Sequence, residues 1–382
     1  MSTPRAGSIR FDRNELAGAF GDLGTDLPLV VGIAIAARLD GTSVLVMFGL
    51  MQICAGLIYR MPMPVQPLKA MAAIVIATKV TGNVLFGAGL AIGIVMLGLS
   101  LTGLIDWLAR VVPRTVVRGL QFGLGLQLAL LALREYVASD GWRGFILAAC
   151  AFALGIAFLG NRRFPAALIL VALGLGWSLC FGLGFSRLVD GVGFSLPQFE
   201  IPDWAAITEG FVLLALPQIP LSLGNSILAT RQTSEDLFGR SISVRRISLT
   251  YGLMNLVSPL FGGIPTCHGS GGMAGHYAFG ARTGGAVIIE GLLYVGLGLV
   301  FGAGFDALVG VFPRPLLGVI LFFEGFALLR LVGDNAGHGE ELAIVLLVGL
   351  MAVALPYGYL VGMLMGMLVC ALVKHRWLKF GI

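Results

Sequence analysis

Between residues 20 and 373 the chain is a succession of apolar runs separated by short polar breaks, and runs of about 20 apolar residues are what an α-helix needs to cross the hydrocarbon core of a bilayer. Lipid offers no partner for an unpaired backbone group, so segments that cross it as single chains fold as helices. Composition agrees, with 57% hydrophobic and only 12% charged residues, whereas a soluble surface needs roughly a quarter of all residues charged. The expected fold class is an all-α integral membrane protein in contact with the lipid bilayer along its length, with no room for a separate soluble domain.

About fourteen transmembrane segments are read, at 18–37, 43–59, 67–79, 84–105, 115–133, 143–159, 165–185, 210–229, 247–261, 268–279, 285–303, 312–330, 341–355 and 357–373. Residues 1–17 precede them with Arg5, Arg10 and Arg13 but without an apolar core or a small-residue cleavage site, so no removable signal is expected. Residues 374–382 form a short tail.

Alternating these spans from an inside start collects Arg60, Arg110, Arg114, Arg118, Arg162, Arg163, Arg231, Arg240, Arg245, Arg246, Arg282, Arg330, Lys374, Arg376 and Lys379 with the N-terminal arginines on one side. The other side receives only Arg38, Lys79, Arg134, Arg143, Arg187 and Arg314. Positive charge is retained in the cytoplasm during insertion, so both termini are expected there, in a bacterial inner (cytoplasmic) membrane. The scatter of arginines between apolar spans explains the net charge of +5 without nucleic acid.

The connection 186–209 carries Asp190, Glu200, Asp203 and Glu209 with Pro197 and Pro202, and is expected outside, as a linker between a first repeat (18–185) and a second (210–373). Seven spans per half force the halves into opposite topology, a 7+7 inverted repeat. Spans three and ten are short and each follows a helix-breaking stretch, MPMPVQP at 61–67 and GGIPTCHGSGG at 262–272. Proline lacks a backbone donor and glycine weakens helices, so both stretches are expected as buried extended backbone, leaving broken third and tenth spans that begin near the bilayer midplane. Two such helix starts facing each other present amides and positive dipole ends to an anion.

At these stretches, MPVQPLKAMAA at 63–73 and GGIPTCHGSGGMAGHYAFGARTGG at 262–285, and at FGDLGTDLPL at 20–29, the chain resembles the molybdate transporter branch of the SulP (sulfate permease) anion transporter superfamily. The resemblance implies a uracil-permease/SulP-like fold with core and gate domains, and import of molybdate, with tungstate or sulfate as related substrates, as a symporter coupled to a proton or sodium. It also implies a possible homodimer and no cofactor. The chain ends at Ile382, which is similar to the molybdate branch in lacking the STAS domain that many SulP proteins carry.

A dianion must exchange water for donors, and backbone amides, neutral side-chain amides and hydroxyls supply them reversibly. The substrate-binding candidates are Gln66 with the amides of Leu68 and Lys69, then His268, Ser270, Gly271 and Gly272 at the second helix start. In the implied fold the first span of each half packs beside these starts, which adds Thr25, Gln218, Ser222 and Asn225, and also Asp26. Lys69 reads either as an anion attractor or as the partner of Asp22, Asp26 or Glu324. Asp22, Asp26, Glu290 and Glu324 are the coupling candidates, each alternatively a structural acid.

Cys54, Cys150, Cys180, Cys267 and Cys370 are unpaired in spacing and expected as buried packing residues, with no disulfide and no metal site. No HExxH, clustered carboxylates or nucleophile motif is present, so no enzyme is expected. An anion channel, a sulfate carrier or a nucleobase or carboxylate carrier of related architecture remain open alternatives at this level.

Overall fold

The computed structural model describes residues 8–158, 192–305 and 313–377, with a few positions between 169 and 177. The described residues are mostly helical, and five of their helices are long and apolar enough to cross a membrane. Most of the expected seventh span, the first residues of the linker (186–191), Cys180 and the end of the tail lie outside the described residues.

A short helix α1 (Arg13–Ala19) is capped by Asp12, whose carboxylate accepts from the amides of Asn14 and Glu15. The expected first span at 18–37 is divided, because the chain turns after Ala19 and helix α2 starts at Leu23 and runs to Ala37. Helix α3 (Gly41–Tyr59) is capped by Asp40 on the Ser43 amide at 2.7 Å. It is followed by strand β1 (Gln66–Pro67), α4 (Lys69–Thr78), α5 (Gly82–Thr102), α6 (Leu104–Val111), α7 (Arg114–Leu131) and α8 (Gly141–Ala157).

The rod α9 spans Trp204–Phe238, longer at both ends than the expected 210–229. Asp203 caps its start by accepting from the Ala206 amide at 2.7 Å, and Gly239 in the left-handed region (φ 62°) ends it. Pro217 and Pro220 lie inside, and π turns at Phe211–Ala215 and Ser222–Leu228 flank them, where missing amide donors loosen the helical ladder. Beyond it come α10 (Val244–Val257), β2 (Thr266–Cys267), α11 (Ser270–Ala278), α12 (Gly285–Phe301), α13 (Arg314–Arg330), α14 (Gly339–Ala354) and α15 (Gly358–Lys374).

Helices α3 and α12 pack backbone against backbone. A Cβ added at Gly49 would lie 2.4 Å from the Gly291 carbonyl oxygen, so only a residue without a side chain permits this approach. Buried Glu15 anchors α1 by accepting from the amides of Arg282, Thr283 and Ala286, at 2.9, 2.9 and 3.1 Å, at the start of α12.

The cysteines depart from expectation. Cys267 is buried, but Cys54 and Cys150 are exposed on helix surfaces, where an apolar side chain can face lipid as readily as a core.

Candidate functional site

Every residue of 61–68 and 262–269 is buried, so their backbone groups need partners inside the protein. Part of the solution is a two-stranded antiparallel ladder in which Gln66 faces Cys267 and Pro67 faces Thr266. A second part is a pair of side-chain amides acting as substitute peptide groups. Gln52 of α3 donates to the Val65 carbonyl at 3.1 Å and accepts from the Val65 amide at 3.0 Å. Asn255 of α10 does the same for Thr266, at 2.6 and 3.0 Å.

The ladder sets the starts of α4 and α11 side by side. The Leu68 amide donates to the Pro265 carbonyl at 3.2 Å, so this amide, expected to face a ligand, is spent on holding the two stretches together. The next two amides of α4 that the structure engages, those of Ala70 and Met71, donate to Gln218 Oε1 at 2.9 and 3.3 Å. Gln218 in turn donates to Ser222 Oγ at 3.2 Å, and Ser222 pairs with the Tyr251 hydroxyl at 2.8 Å. A neutral carbonyl oxygen thus sits where an anion oxygen would be stabilised by the helix start.

At α11 the occupant is a carboxylate. A Cβ at Gly272 would lie 1.9 Å from Asp22 Oδ2, which places the Asp22 carboxylate against the first turn of this helix. Gln66 Nε2 donates to both Asp22 oxygens, at 2.8 and 2.7 Å. Gln66 also lies so close to Gly269 that a Cβ there would meet its Oε1 at 1.8 Å. Gly271 faces open space, and Ser270 is half-buried.

His268 is fully buried with both ring nitrogens engaged, Nδ1 with the Pro64 carbonyl at 3.0 Å and Nε2 with Thr250 Oγ1 at 2.8 Å. Thr250 also pairs with the Tyr59 hydroxyl at 2.6 Å. His268 is therefore a strap between the extended stretches and α10, the ordinary fate of a buried histidine. The side chains of Thr25 and Glu324 lie outside the described residues.

Between α4, α7, α9, β2 and α13 lies a small cavity of about 10 Å³, lined by Gln66, Lys69, Gln121, Gln218, Asn225 and Ser226 together with Cys267 and three leucines. It brings four of the expected residues together and adds Gln121, Ser226 and Cys267, which sequence reasoning missed. No carboxylate is among its lining residues. Polar groups of this kind, one of them the Lys69 ammonium, are donors suited to an anion. The space admits about one water, so a tetrahedral oxyanion enters only as lining side chains move.

Behind this cavity is a group of buried acids. Asp26 is fully buried and lies within electrostatic reach of Asp22, Glu290 and Lys69. Both carboxylate oxygens of Asp26 and both of Glu290 lack a hydrogen-bond partner, as do His276 Nε2 and the Tyr294 hydroxyl. His276 Nε2 is 3.7 Å from Glu290 Oε2, while its Nδ1 is bound to the Gly18 carbonyl at 2.7 Å. His276 and Tyr294 were not singled out from sequence; the histidine at the sixth position of GGMAGHYAFG and a tyrosine one turn beyond Glu290 were the available signals.

A helical membrane bundle with two extended stretches meeting beside an anion-compatible cavity has the form of a membrane transport protein. The family model described as "Molybdate transporter of MFS superfamily" matches residues 14–128 and 210–328. Molybdate transporter 2 of Arabidopsis thaliana is 36% identical over 364 residues, covering 82% of this chain and 78% of the relative. Molybdate transporter 1 of the same plant is 31% identical, covering 87% and 82%. The chain belongs to the molybdate transporter family.

Solved structures show the fold it shares. The transmembrane domain of the cyanobacterial bicarbonate transporter BicA superposes with a TM-score of 0.68 at 16% identity, covering 94% of this chain and 98% of that one. Murine Slc26a9, an anion transporter in the inward-facing state, gives 0.72 at 12% identity, covering 98% and 70%. The matching family model carries the MFS name, whereas the structure superposes on transporters of the SulP/SLC26 fold.

Proposed function

We propose that this protein imports molybdate across the cytoplasmic membrane as a secondary transporter working by alternating access, with about fourteen spans in a 7+7 inverted repeat. In this reading α4 and α11 are half-helices starting near the midplane, and the arginine-rich side, with both termini, is cytoplasmic. The observation that carries it is the donor-lined cavity without a carboxylate, set at the start of α4. The molybdate relatives support the choice of substrate.

On binding, the oxyanion displaces Gln218 Oε1 from the amides of Ala70 and Met71, while Lys69 supplies charge and Asn225 and Ser226 supply further donors. The start of α11 is neutralised in advance by Asp22, so the two helix starts do unequal work. Exchange of one acceptor for another keeps the site releasable, because the amides are satisfied in both states.

Ion coupling is assigned to Asp26 and Glu290. A buried carboxylate without a hydrogen-bond partner is costly when charged, so these two side chains are neutralised by a proton or a small cation. A load taken up there is felt at Lys69, which lies within reach of Asp26.

The test is uptake of labelled molybdate into proteoliposomes, with tungstate and sulfate as competitors. Saturable uptake blocked by tungstate supports the reading, and uptake of sulfate in preference to molybdate reassigns the substrate. Flux that does not saturate, at channel rates, removes alternating access.

A further inference from the structure

On the arginine-rich side of the small cavity lies a larger space of about 630 Å³, lined by Arg110, Arg114, Arg118, Gln121, Asn225 and Gln232 among others, with no carboxylate in its lining. Gln121 and Asn225 line both spaces. They form the partition between them, with Gln121 Nε2 donating to Asn225 Oδ1 across a long 3.5 Å contact.

Arg118 is bonded to that partition. Its Nη1 donates to Gln121 Oε1 at 2.9 Å, and its Nη2 donates to Asp334, which also accepts from Arg114 Nη2 at 3.2 Å. Its Nε is buried and has no partner. Nε and Nη2 form one edge of the planar guanidinium, the edge that grips an oxyanion through two parallel hydrogen bonds. In this structure half of that edge is unused and the other half is held by a half-exposed carboxylate.

We propose that this arginine-lined space is a second oxyanion station, which takes the same tetrahedral dianion on its way between the aqueous face and the transport cavity. The dianion takes the Nε and Nη2 edge of Arg118 in place of Asp334, filling the orphaned donor, while Arg110 and Arg114 raise its local concentration. Movement of the guanidinium toward the anion releases Gln121 Oε1, and Gln121 then swings away from Asn225 to open the partition. The inference rests on the transport reading for the identity of its ligand, but its geometry stands on residues outside the transport cavity, Gln121 and Asn225 excepted.

The experiment uses the full chain, purified and reconstituted, with molybdate and sulfate as probes and Arg118→Gln, Arg118→Lys and Asp334→Asn as variants. Arg118→Gln should raise KM for molybdate presented on the arginine-rich face by about tenfold or more, with Vmax little changed, and should flatten the dependence of KM on ionic strength. Arg118→Lys keeps the charge without the fork and should recover the salt dependence but not the affinity. Asp334→Asn removes the competing carboxylate and should lower KM.

Unchanged KM and salt dependence in Arg118→Gln would overturn the station, as would a fall in Vmax at constant KM, which marks Arg118 as a structural latch only. Should a variant fail to insert, Asp334→Asn still decides, since an unaltered or raised KM there also overturns the proposal. Calorimetry with molybdate on the detergent-purified protein separates the two readings. Binding that is weakened by Arg118→Gln in a protein showing no molybdate uptake keeps the station and removes the transport reading, and uptake without any effect of Arg118→Gln does the reverse.

Discussion

Gln218 Oε1 accepts from the Ala70 amide at 2.9 Å, joining the middle of α9 to the first turn of α4 across 148 residues of chain. Gln218 lines the small cavity, and the bond makes a side-chain oxygen the resident occupant of the helix start. A glutamate at this position would put a fixed negative charge where the substrate is proposed to bind. Gln218→Glu should lower molybdate uptake by about 100-fold, since like charges at close range cost several kcal/mol. Initial uptake rates in proteoliposomes check it, and near-normal rates would move the site elsewhere.

The glycines of the second helix start divide into two kinds. A methyl group at Gly269 or Gly272 would collide with Gln66 or Asp22 at under 2 Å, whereas at Gly271 it meets nothing within 4 Å. Gly269→Ala and Gly272→Ala should each destabilise the protein by about 1–3 kcal/mol, the usual range for forced overpacking, and impair uptake. Gly271→Ala should melt normally. Thermal denaturation followed by size-exclusion chromatography distinguishes the three.

Gln52 and Asn255 each satisfy one amide and one carbonyl that lie in no helix. Leucine at either position leaves two buried backbone groups unpaired, at about 1–3 kcal/mol each. Both Gln52→Leu and Asn255→Leu should lower the melting temperature, and the double variant should not insert stably. Protease resistance of membranes containing the variants measures this directly.

Neutral mimics of the buried acids separate coupling from binding. Asp26→Asn with Glu290→Gln should abolish uptake driven by an imposed proton or sodium gradient, while exchange of labelled for unlabelled molybdate continues. Gradient-driven uptake that survives both changes would free these acids from the coupling role.

Much of this arrangement was legible in the residues themselves. The breaker-rich stretches MPMPVQP and GGIPTCHGSGG fix where α4 and α11 begin, at Lys69 and Ser270, within two residues of the expected 67 and 268, because proline and glycine act locally. Gln218 and Asn225 stood out as amides within an apolar run, and both line the cavity. Gln52 and Asn255 carry the same signal, although the sequence does not say whether such an amide faces a ligand or a neighbouring backbone.

Other features depend on distant elements and left no local trace. Asp22 reads as a coupling acid or a cap in its own segment, and only the close approach of the Gly21–Asp22 turn to α11 puts its carboxylate at a helix start. Arg118 and Gln121 belong to a span without proline or an unusual motif, and their meeting with Asn225 is a product of topology. His268, next to Cys267 in an unusual stretch, attracted a ligand role that its two structural hydrogen bonds already fill.

The short ladder between residues 66–67 and 266–267 has a mechanical consequence. It stitches the two helix starts to each other by main-chain bonds, with a histidine rivet alongside, whereas Gln121 touches the opposite wall through one stretched contact. If the proposed alternating access holds, the weaker seam is where the molecule would part. The ladder and the helices it carries would travel as a single block, and the surface of α7 would be the rail along which cargo changes sides.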